Sequence, residues 1–470
     1  MQGEFVDNIN ILPIRIKICC CCPSVGRLRM TQIIRKSGLA RLVITVTILT
    51  VIFGFLFDFV AQKSFIANYY VTLRSALLHG TFGMELVPNL VIVLIAGFVF
   101  FLIPSFFGFL LFYSFGKRVF INPDYSHFVS VIIPAKDREK DIRRTLECLL
   151  RSDYPSDKME ILVVTSGSKD RTEEIGREFA SKSSVKVLGD PLQKKGKPAA
   201  LNYALASAKG DLIAIFDADT VAAPETLKNL LTPFNEPSVS AVVGPIQVLN
   251  QDENSLTKGT ALENTYYSGA GLLYEIRERL GQSIFLLGRN FCIRKDVLQS
   301  FGGFDESSLT EDFSLMFKLK EQGKRMVFSP NAVAKDSCPP YWQAFSLQRK
   351  RWSAGWNEEN KKFMASTKDK RKAGLGMINF LLYVNLPIFT FFALIFAPTF
   401  WLMGEYLISL ASLMTIIFTV SLMVVSVSKY GNKKFGLLVY FPVYIYTSFF
   451  MFANAALKPK KTTEWTATPH

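Results

Sequence analysis

Four groups of polar residues in the middle of the chain have the residue types and spacing that chemistry on a charged substrate requires. In chain order they are Asp170, Asp217-Ala218-Asp219, Thr310-Glu311-Asp312 and the segment from Gln348 to Trp352. Two carboxylates one residue apart suit a hard divalent cation such as Mg²⁺, which completes its shell with substrate phosphates. Most isolated Asp-x-Asp sequences are turn or helix N-cap carboxylates, so the metal-binding interpretation depends on the apolar run before the triplet and on the order of the groups.

Basic residues supply partners for such phosphates. Lys194-Lys195-Gly196-Lys197 precedes a predicted helix at 199–208, and a helix N-terminus attracts anions through its dipole. Gln348, Arg351 and Trp352 share one face of a later helix, where the Arg fork fits phosphate oxygens and the Trp ring offers a flat apolar surface. The simpler interpretations are a solvated charge run for the first segment and an interfacial amphipathic helix for the second.

Thr310-Glu311-Asp312 begins another predicted helix. Thr310 is a typical N-cap residue, and the two acids favour the helix dipole. That structural role is compatible with a chemical one. A carboxylate here can take the proton of an attacking hydroxyl while a metal stabilises a leaving diphosphate.

Short apolar runs alternate with helical patterns from residue 128 onward, which predicts the elements that position these groups. The predicted strands are 129–134, 161–164, 185–188 and 212–216, and the predicted helices are 139–151, 171–181 and 199–208. This alternation predicts an α/β domain with a parallel sheet covered on both faces. Ligands bind beyond the carboxyl ends of such strands, which is where the Asp-x-Asp falls.

Taken together, the ordered motifs resemble those of the family 2 glycosyltransferases, and within them the membrane-bound hyaluronan, chitin and cellulose synthases. The resemblance covers about residues 128–356 and the flanking apolar segments. It implies a glycosyltransferase A-type domain with a mostly parallel sheet, an inverting transfer from a nucleotide sugar, and Mg²⁺ or Mn²⁺ as cofactor. It also implies that Asp217 and Asp219 bind the metal and donor, with Asp219 preferred as the direct ligand.

The resemblance assigns the remaining roles as well. Asp312 is the catalytic base with Glu311 beside it, Lys197 and Arg351 contact the donor diphosphate, and Gln348 and Trp352 line the acceptor site. Two positions depart from the family pattern: Thr165-Ser166 replaces an acidic pair, and the residues after the first strand lack an aromatic. Nucleoside contacts are therefore expected from Asp137, Ser166 and Asp170. A UDP-linked donor is expected, although the identity of the base stays open.

Long apolar segments flank the polar middle of the chain. Residues 42–61 and 90–114 are each long enough to cross a bilayer, as are 378–403, 406–427 and 435–457. Basic residues precede the first segment and follow the second, which predicts a multi-pass protein of the cell membrane with a cytoplasmic catalytic domain. Lysines on both sides of the last segment leave four or five spans open. These flanking cations also explain the net charge of +15 without a nucleic-acid partner.

The predicted organisation has six parts. They are a basic extension (1–40), two membrane helices (41–116), the glycosyltransferase domain (120–340), an interfacial region with the Gln348–Trp352 motif (341–372), two or three membrane segments (374–457) and a tail (458–470). Cys19 to Cys22 lie in the extension, and their role stays open. The other cysteines are widely spaced in a reducing compartment, so disulfides are not expected.

Two functions remain open from the sequence. A processive synthase that passes a growing polysaccharide through its own membrane segments is favoured by the Gln348–Trp352 motif followed by several apolar segments. The alternative is transfer of a single sugar to a membrane lipid, as in ceramide glucosyltransferases, which carry the same carboxylates and a similar Arg-Trp motif. A transporter or receptor with a degraded transferase domain is disfavoured because every residue expected for the chemistry is present.

Overall fold

The computed structural model describes residues 75, 127–165, 167–181, 184–189, 196–279, 284–367, 386–402, 404 and 406–456. Apart from residue 75, these belong to one compact unit, Leu94–Val99 with Phe112–His470. The predicted N-terminal extension with its cysteine run, both N-terminal membrane helices and the tail lie outside the described residues. Ser166 and Lys194-Lys195 lie outside them as well.

Ten strands form two sheets in the described part of the chain. The strands are β1 (Val129–Ala135), β2 (Met159–Thr165), β3 (Val185–Gly189), β4 (Leu212–Ile215), β5 (Val221–Ala222), β6 (Val239–Val243), β7 (Ile246–Val248), β8 (Phe291–Arg294), β9 (Arg325–Phe328) and β10 (Ala334–Asp336). The larger sheet has the order β3-β2-β1-β4-β8-β6-β9, and β5-β10-β7 form the smaller one. In the larger sheet every pairing is parallel except those of β8 with β4 and β6. The predicted α/β class with a mostly parallel sheet is confirmed.

Twelve α-helices accompany these strands within the described ranges. They are α1 (Ile142–Leu150), α2 (Thr172–Ala180), α3 (Lys197–Ser207), α4 (Thr226–Leu231), α5 (Ser255–Glu263), α6 (Leu272–Arg279), α7 (Lys295–Ser300), α8 (Glu311–Glu321), α9 (Trp342–Ser366), α10 (Leu386–Leu402), α11 (Tyr406–Tyr430) and α12 (Phe441–Ala456). A π-helical turn, Asn264–Ser268, follows α5, and a 3₁₀ turn, Phe435–Tyr440, precedes α12. The predicted helices at 139–151, 171–181 and 199–208 correspond to α1, α2 and α3.

The core lies around the first four strands. The apolar runs of β1, β2 and β4 are buried on both faces, because helices cover the sheet on each side, whereas β3 at the edge of the sheet is only partly buried. In β1 and β2 the register pairs Ala135 with Thr165, and β4 pairs with β1 through Ile215 and Ile132. The loops that follow these three strands therefore meet at one edge of the sheet, where the predicted donor residues lie.

One described helix is long and apolar enough to cross a membrane. This segment, Ser412–Tyr430 of α11, has 19 residues and a mean hydropathy of 1.8. The other apolar stretches, Leu386–Leu402 and Phe435–Met451, are shorter. The predicted span at 435–457 begins instead with the 3₁₀ turn, and Pro442, which lacks an amide donor, stands near the start of α12. The multi-pass arrangement stays a prediction.

Candidate active site

Asp217-Ala218-Asp219 lies in the turn after β4, at the carboxyl end of the sheet, as predicted. The turn is fixed by Thr145 of α1, whose hydroxyl donates to the Ala218 carbonyl at 2.8 Å, while Ala218 packs into the core. Asp219 is buried and its Oδ2 lies 3.8 Å from an Arg138 NH group, whereas Asp217 is half-buried. The sheet therefore presents both carboxylates at its ligand edge.

Lys197 joins this turn to Thr310-Glu311-Asp312. Its Nζ lies 2.7 Å from Asp217 Oδ1 and 3.4 Å from Glu311 Oε1, and it donates to the Gly288 carbonyl at 2.7 Å. A methyl group built on Gly288 would lie 3.2 Å from Lys197 Nζ and 3.4 Å from Asp312 Oδ2. Asp312 therefore belongs to the same cluster. The lysine expected at the diphosphate is held by carboxylates in this structure, and its contact with the donor stays a prediction.

The environment of Asp312 suits a proton acceptor near neutral pH. Burial raises the pKa of Asp312 to about 7, the neighbouring Glu311 charge adds to the rise, and the Lys197 charge opposes it. A general base works best when its pKa lies near the working pH. By contrast, burial alone would raise the pKa of Asp217, but the Lys197 and Arg289 charges hold it below its ordinary value. Two carboxylates of one cluster thus have pKa values shifted in opposite directions.

Thr310 occupies the N-cap position of α8, yet its side chain makes no cap hydrogen bond. Gly355 of α9 packs against it instead. A methyl group on Gly355 would lie 2.4 Å from Thr310 Cγ2, so only glycine permits this approach. One turn further along α9, Glu359 accepts a hydrogen bond of 2.8 Å from Ser308. The start of α8, with Glu311 and Asp312, is therefore positioned by α9 as well as by its own sequence.

The predicted shared face of Gln348, Arg351 and Trp352 lies on α9, and Gly355 of that face touches Thr310. Burial lowers the pKa of Arg351, against the opposing charges of Glu311, Asp217 and Asp312. Arg351 therefore shares the electrostatic environment of the carboxylate cluster. The proposed roles of Gln348 at the acceptor and Arg351 at the diphosphate stay predictions.

The loops after β1 and β2 are tied together by their own polar residues. Asp137, with a φ of 53°, accepts from the Lys169 amide at 2.8 Å. The two Asp170 oxygens accept from the Glu139 and Thr172 amides, each at 3.0 Å. Burial opposes the effect, but hydrogen bonds from Thr172 and Glu139 hold the pKa of Asp170 below its ordinary value. Asp137 and Asp170 thus brace the expected nucleoside pocket, and direct contacts to a nucleoside stay predictions.

Two buried ion pairs were missed by sequence reasoning. Arg289, just before β8, pairs with Asp336 at the end of β10, and Asp217 and Asp219 both add to the charge acting on Arg289. Arg349 of α9 pairs with Glu263, the last residue of α5. The run Arg349-Lys350-Arg351 contains three cations, and its composition does not indicate which of them is buried.

The carboxylates at this edge fit a divalent cation. No group of three or more His, Cys, Asp or Glu side chains forms a metal site among the described residues, but Mg²⁺ in phosphate-transfer sites takes one or two carboxylates and completes its shell with phosphates. Asp217 and Asp219 would supply those oxygens. Burial also raises the pKa of the adjacent Asp336 to about 7, with further upward contributions from Asp219 and Asp217. The Arg289 charge opposes that rise, and a bound cation would further reduce the repulsion among these carboxylates.

Known proteins are similar to this chain over the region that carries these motifs. Residues 126–355 match the family model described as glycosyltransferase like family 2. A probable glycosyltransferase of Bacillus subtilis, YdaM, is 33% identical over 56% of this chain and 63% of its own length. The beta-monoglucosyldiacylglycerol synthase of Trichormus variabilis is 32% identical over 48% of each chain.

Two further similarities extend this comparison. The poly-beta-1,6-N-acetyl-D-glucosamine synthase of Staphylococcus aureus is 26% identical over 55% of this chain and 62% of its own length. The solved mannosyltransferase PcManGT of Pyrobaculum calidifontis, in complex with GDP-Man and Mn²⁺, has a TM-score of 0.47 and 20% identity, covering 77% of this chain and 98% of that one.

The chain thus spans about half the length of the Trichormus variabilis relative and just under two thirds of the length of the other two curated relatives. The family match covers residues 126–355 and ends at Gly355 of α9. It includes the Asp-x-Asp turn, Thr310-Glu311-Asp312 and the Arg351-Trp352 pair. Residues 126–355 of this chain are therefore similar to the glycosyltransferase domains of family 2.

Proposed function

We propose that the chain transfers a sugar from a nucleotide-sugar donor to an acceptor hydroxyl, with inversion at the anomeric carbon and Asp312 as the base. The observation that carries this proposal is the convergence of Lys197, Asp217, Glu311 and Asp312 around Gly288 at the ligand edge of the sheet. One cluster holds a cation for a diphosphate, a carboxylate kept ionised, and a carboxylate with a pKa of about 7.

In the proposed reaction, the acceptor hydroxyl attacks the anomeric carbon of the donor sugar from the face opposite the diphosphate. The bond between that carbon and the diphosphate oxygen breaks, and its electron pair leaves with the nucleoside diphosphate. Asp312 takes the proton of the attacking hydroxyl. Lys197 and Arg351 bind diphosphate oxygens through charge-assisted hydrogen bonds. Asp217 and Asp219 would hold Mg²⁺ or Mn²⁺, which supplies charge stabilisation for the leaving group.

A growing polysaccharide is the first proposed acceptor. Helix α9 packs on α12: the Trp342 ring lies 4.8 Å from Phe450 and 5.1 Å from Tyr446. The helix that carries Gln348 and Trp352, the residues assigned to the acceptor, thus packs on an apolar C-terminal helix. This contact supports the passage of a growing polysaccharide from the active site to the membrane segments. This arrangement would let one enzyme add sugars repeatedly.

A membrane lipid is the second candidate acceptor, and a specific observation favours it. The relative that makes a monoglucosyl lipid, by its name, is more similar in sequence (32%) than the named polysaccharide synthase (26%). A lipid acceptor would approach Trp352 from the same apolar helices. The two candidates require the same base and the same donor contacts, and they differ in product size.

The test uses the full chain purified in detergent and incubated with Mn²⁺ and radiolabelled UDP-glucose or UDP-N-acetylglucosamine. Cellotetraose and 1,2-dioleoylglycerol serve as acceptors. Products are separated by gel filtration and thin-layer chromatography. A ladder of long products supports the synthase, whereas a single-sugar lipid supports the alternative. If neither labelled product forms and no UDP is released, with GDP-mannose tested in parallel, the proposed transfer is refuted.

A further inference from the structure

We infer that Arg349 is a positioning residue for Trp352, and that it reserves one face of the indole so that the acceptor meets the other. This inference rests on the proposed function, since it assigns the acceptor to Trp352. The Arg349 guanidinium carbon lies 4.6 Å from the centre of the Trp352 ring. A planar guanidinium stacks on an aromatic face, and Trp352 itself remains only half-buried.

The guanidinium is held between two rings. Its carbon also lies 4.7 Å from the centre of the Phe345 ring. Phe345, Arg349 and Trp352 are spaced by four and three residues on α9, so they lie on one face of the helix. The stack opposes rotation of the indole about its side-chain bonds, because such a rotation would separate the two flat groups.

The position of Arg349 is in turn fixed by Glu263. The two side chains are each 1% exposed, and they form hydrogen bonds of 2.8 Å and 3.3 Å, one to each carboxylate oxygen. Removing a charge from water is unfavourable unless a partner with good geometry compensates. The paired geometry supplies that compensation at the end of α5.

A third helix contributes to the same junction. An Arg349 NH group lies 3.6 Å from the Met451 sulfur of α12, and the Tyr267 hydroxyl donates to that sulfur at 3.4 Å. The orientation of Trp352 therefore depends on α5, α9 and α12. Arg349 makes its ion pair with Glu263, whereas the carboxylates of the donor cluster pair with Lys197. Disturbing Arg349 should therefore change acceptor binding and leave donor binding as it is.

Another ion pair, in which the carboxylate is buried and the lysine is exposed, provides a control. Lys429 of α11 lies 2.9 Å and 3.0 Å from the two oxygens of the buried Glu275 in α6, where the Tyr430 hydroxyl also donates at 2.8 Å. This pair connects α6 of the catalytic domain to the apolar helix α11, and neither partner lies on the helix that carries Trp352. If ion pairs between elements act only by stabilising the fold, the substitutions should have the same effect on acceptor binding at both places.

The test compares wild type with Arg349→Met/Glu263→Gln, which neutralises both partners and leaves no unpaired charge, and with Arg349→Lys, which keeps the charge but loses the planar stack. The control is Lys429→Met/Glu275→Gln. The acceptor is cellotetraose or 1,2-dioleoylglycerol, whichever the wild type uses. For each variant the acceptor KM and kcat are measured at saturating donor, UDP affinity by calorimetry, and Tm by differential scanning fluorimetry.

Both Arg349 variants should raise the acceptor KM, by about tenfold for Arg349→Met/Glu263→Gln, while the UDP Kd changes less than about twofold. The control should lower Tm without changing the acceptor KM. An unchanged acceptor KM in both Arg349 variants overturns the inference. Equal rises in the control overturn it too, and if the double variant does not fold, Arg349→Lys decides alone. If the wild-type chain transfers no sugar, the proposed function is overturned together with this inference. That result differs from the two outcomes above, in which the wild type is active.

Discussion

Replacing Asp312 by Asn tests the proposed mechanism most directly. Asparagine keeps the shape of the side chain and the start of α8 but does not accept the acceptor proton. Loss of a general base typically costs about 10²–10⁴ in rate. Lys197, Asp217 and Asp219 are untouched, so the donor Kd should stay within about threefold of wild type. Single-turnover sugar transfer and UDP calorimetry measure the two quantities separately.

The pH dependence of kcat/KM provides an independent test of Asp312 as the base. Asp312 acts as a base only when ionised, so kcat/KM should rise with pH and level off above a pKa of about 7. One unit below that pKa, about a tenth of the molecules carry the ionised base. The raised pKa comes first from burial, then from the Glu311 charge, and is reduced by Lys197. Substitutions of Glu311 and Lys197 should therefore shift the acid limb of the pH–rate profile in opposite directions.

Glu311→Gln removes a like charge, which lowers the pKa of Asp312 and moves the acid limb to lower pH. Lys197→Met removes an opposite charge, which raises that pKa and moves the limb to higher pH. Both profiles are recorded at the same Mn²⁺ concentration. Shifts of the same sign would refute the electrostatic reasoning. Wild-type turnover in Asp312→Asn would refute its role as base, and equal small losses in Asp312→Asn and Glu311→Gln would reduce the motif to a favourable helix start.

Three further predictions concern the surroundings of the base. Chelation should abolish transfer, and added Mn²⁺ should restore it; Asp219→Asn should raise both the donor Kd and the Mn²⁺ concentration needed for half-maximal rate. Gly355→Ala should lower the free energy of unfolding by about 1–3 kcal/mol and slow transfer, because the methyl would lie 2.4 Å from Thr310 Cγ2. The control is Gly189→Ala, whose methyl meets no atom within 4 Å. This control should have little effect in the same melting and activity assays. Asp170→Asn should lower Tm and raise the donor KM, because it weakens the acceptor that holds the amides of two loops together.

The elements with strong local signals were predicted closely from the sequence. The runs at 129–134 and 161–164 are β-branched and apolar, and they form β1 and β2 with an added residue or two at their ends. Such runs identify buried parallel strands because both faces are covered. The Asp-x-Asp turn could be placed for the same reason, since it directly follows the buried run of β4.

Elements without local signals were not predicted. The strands of the smaller sheet are two or three residues long, too short for a periodic pattern, and they form because distant segments pair. Strand β8 is short and mostly apolar like β4 and β6, but it runs antiparallel to both, and the connections set that direction. Lys197 was expected in a loop and instead begins α3, because the positive φ of Gly196, 113°, sets the turn immediately before it.

The buried charges show why a motif alone does not determine a site. Arg349 and Arg351 are two residues apart and chemically identical, yet Arg349 is buried against Glu263, 86 positions earlier in the chain, while the charges of the carboxylate cluster act on Arg351. The difference arises from tertiary partners that no local spacing reveals. In the proposed mechanism the two arginines have different roles: Arg351 binds the donor diphosphate, and Arg349 positions the tryptophan that we assign to the acceptor. A helix that carries both can couple acceptor position to the charged cluster, because Gly355 of the same helix touches the residue that precedes Glu311 and Asp312.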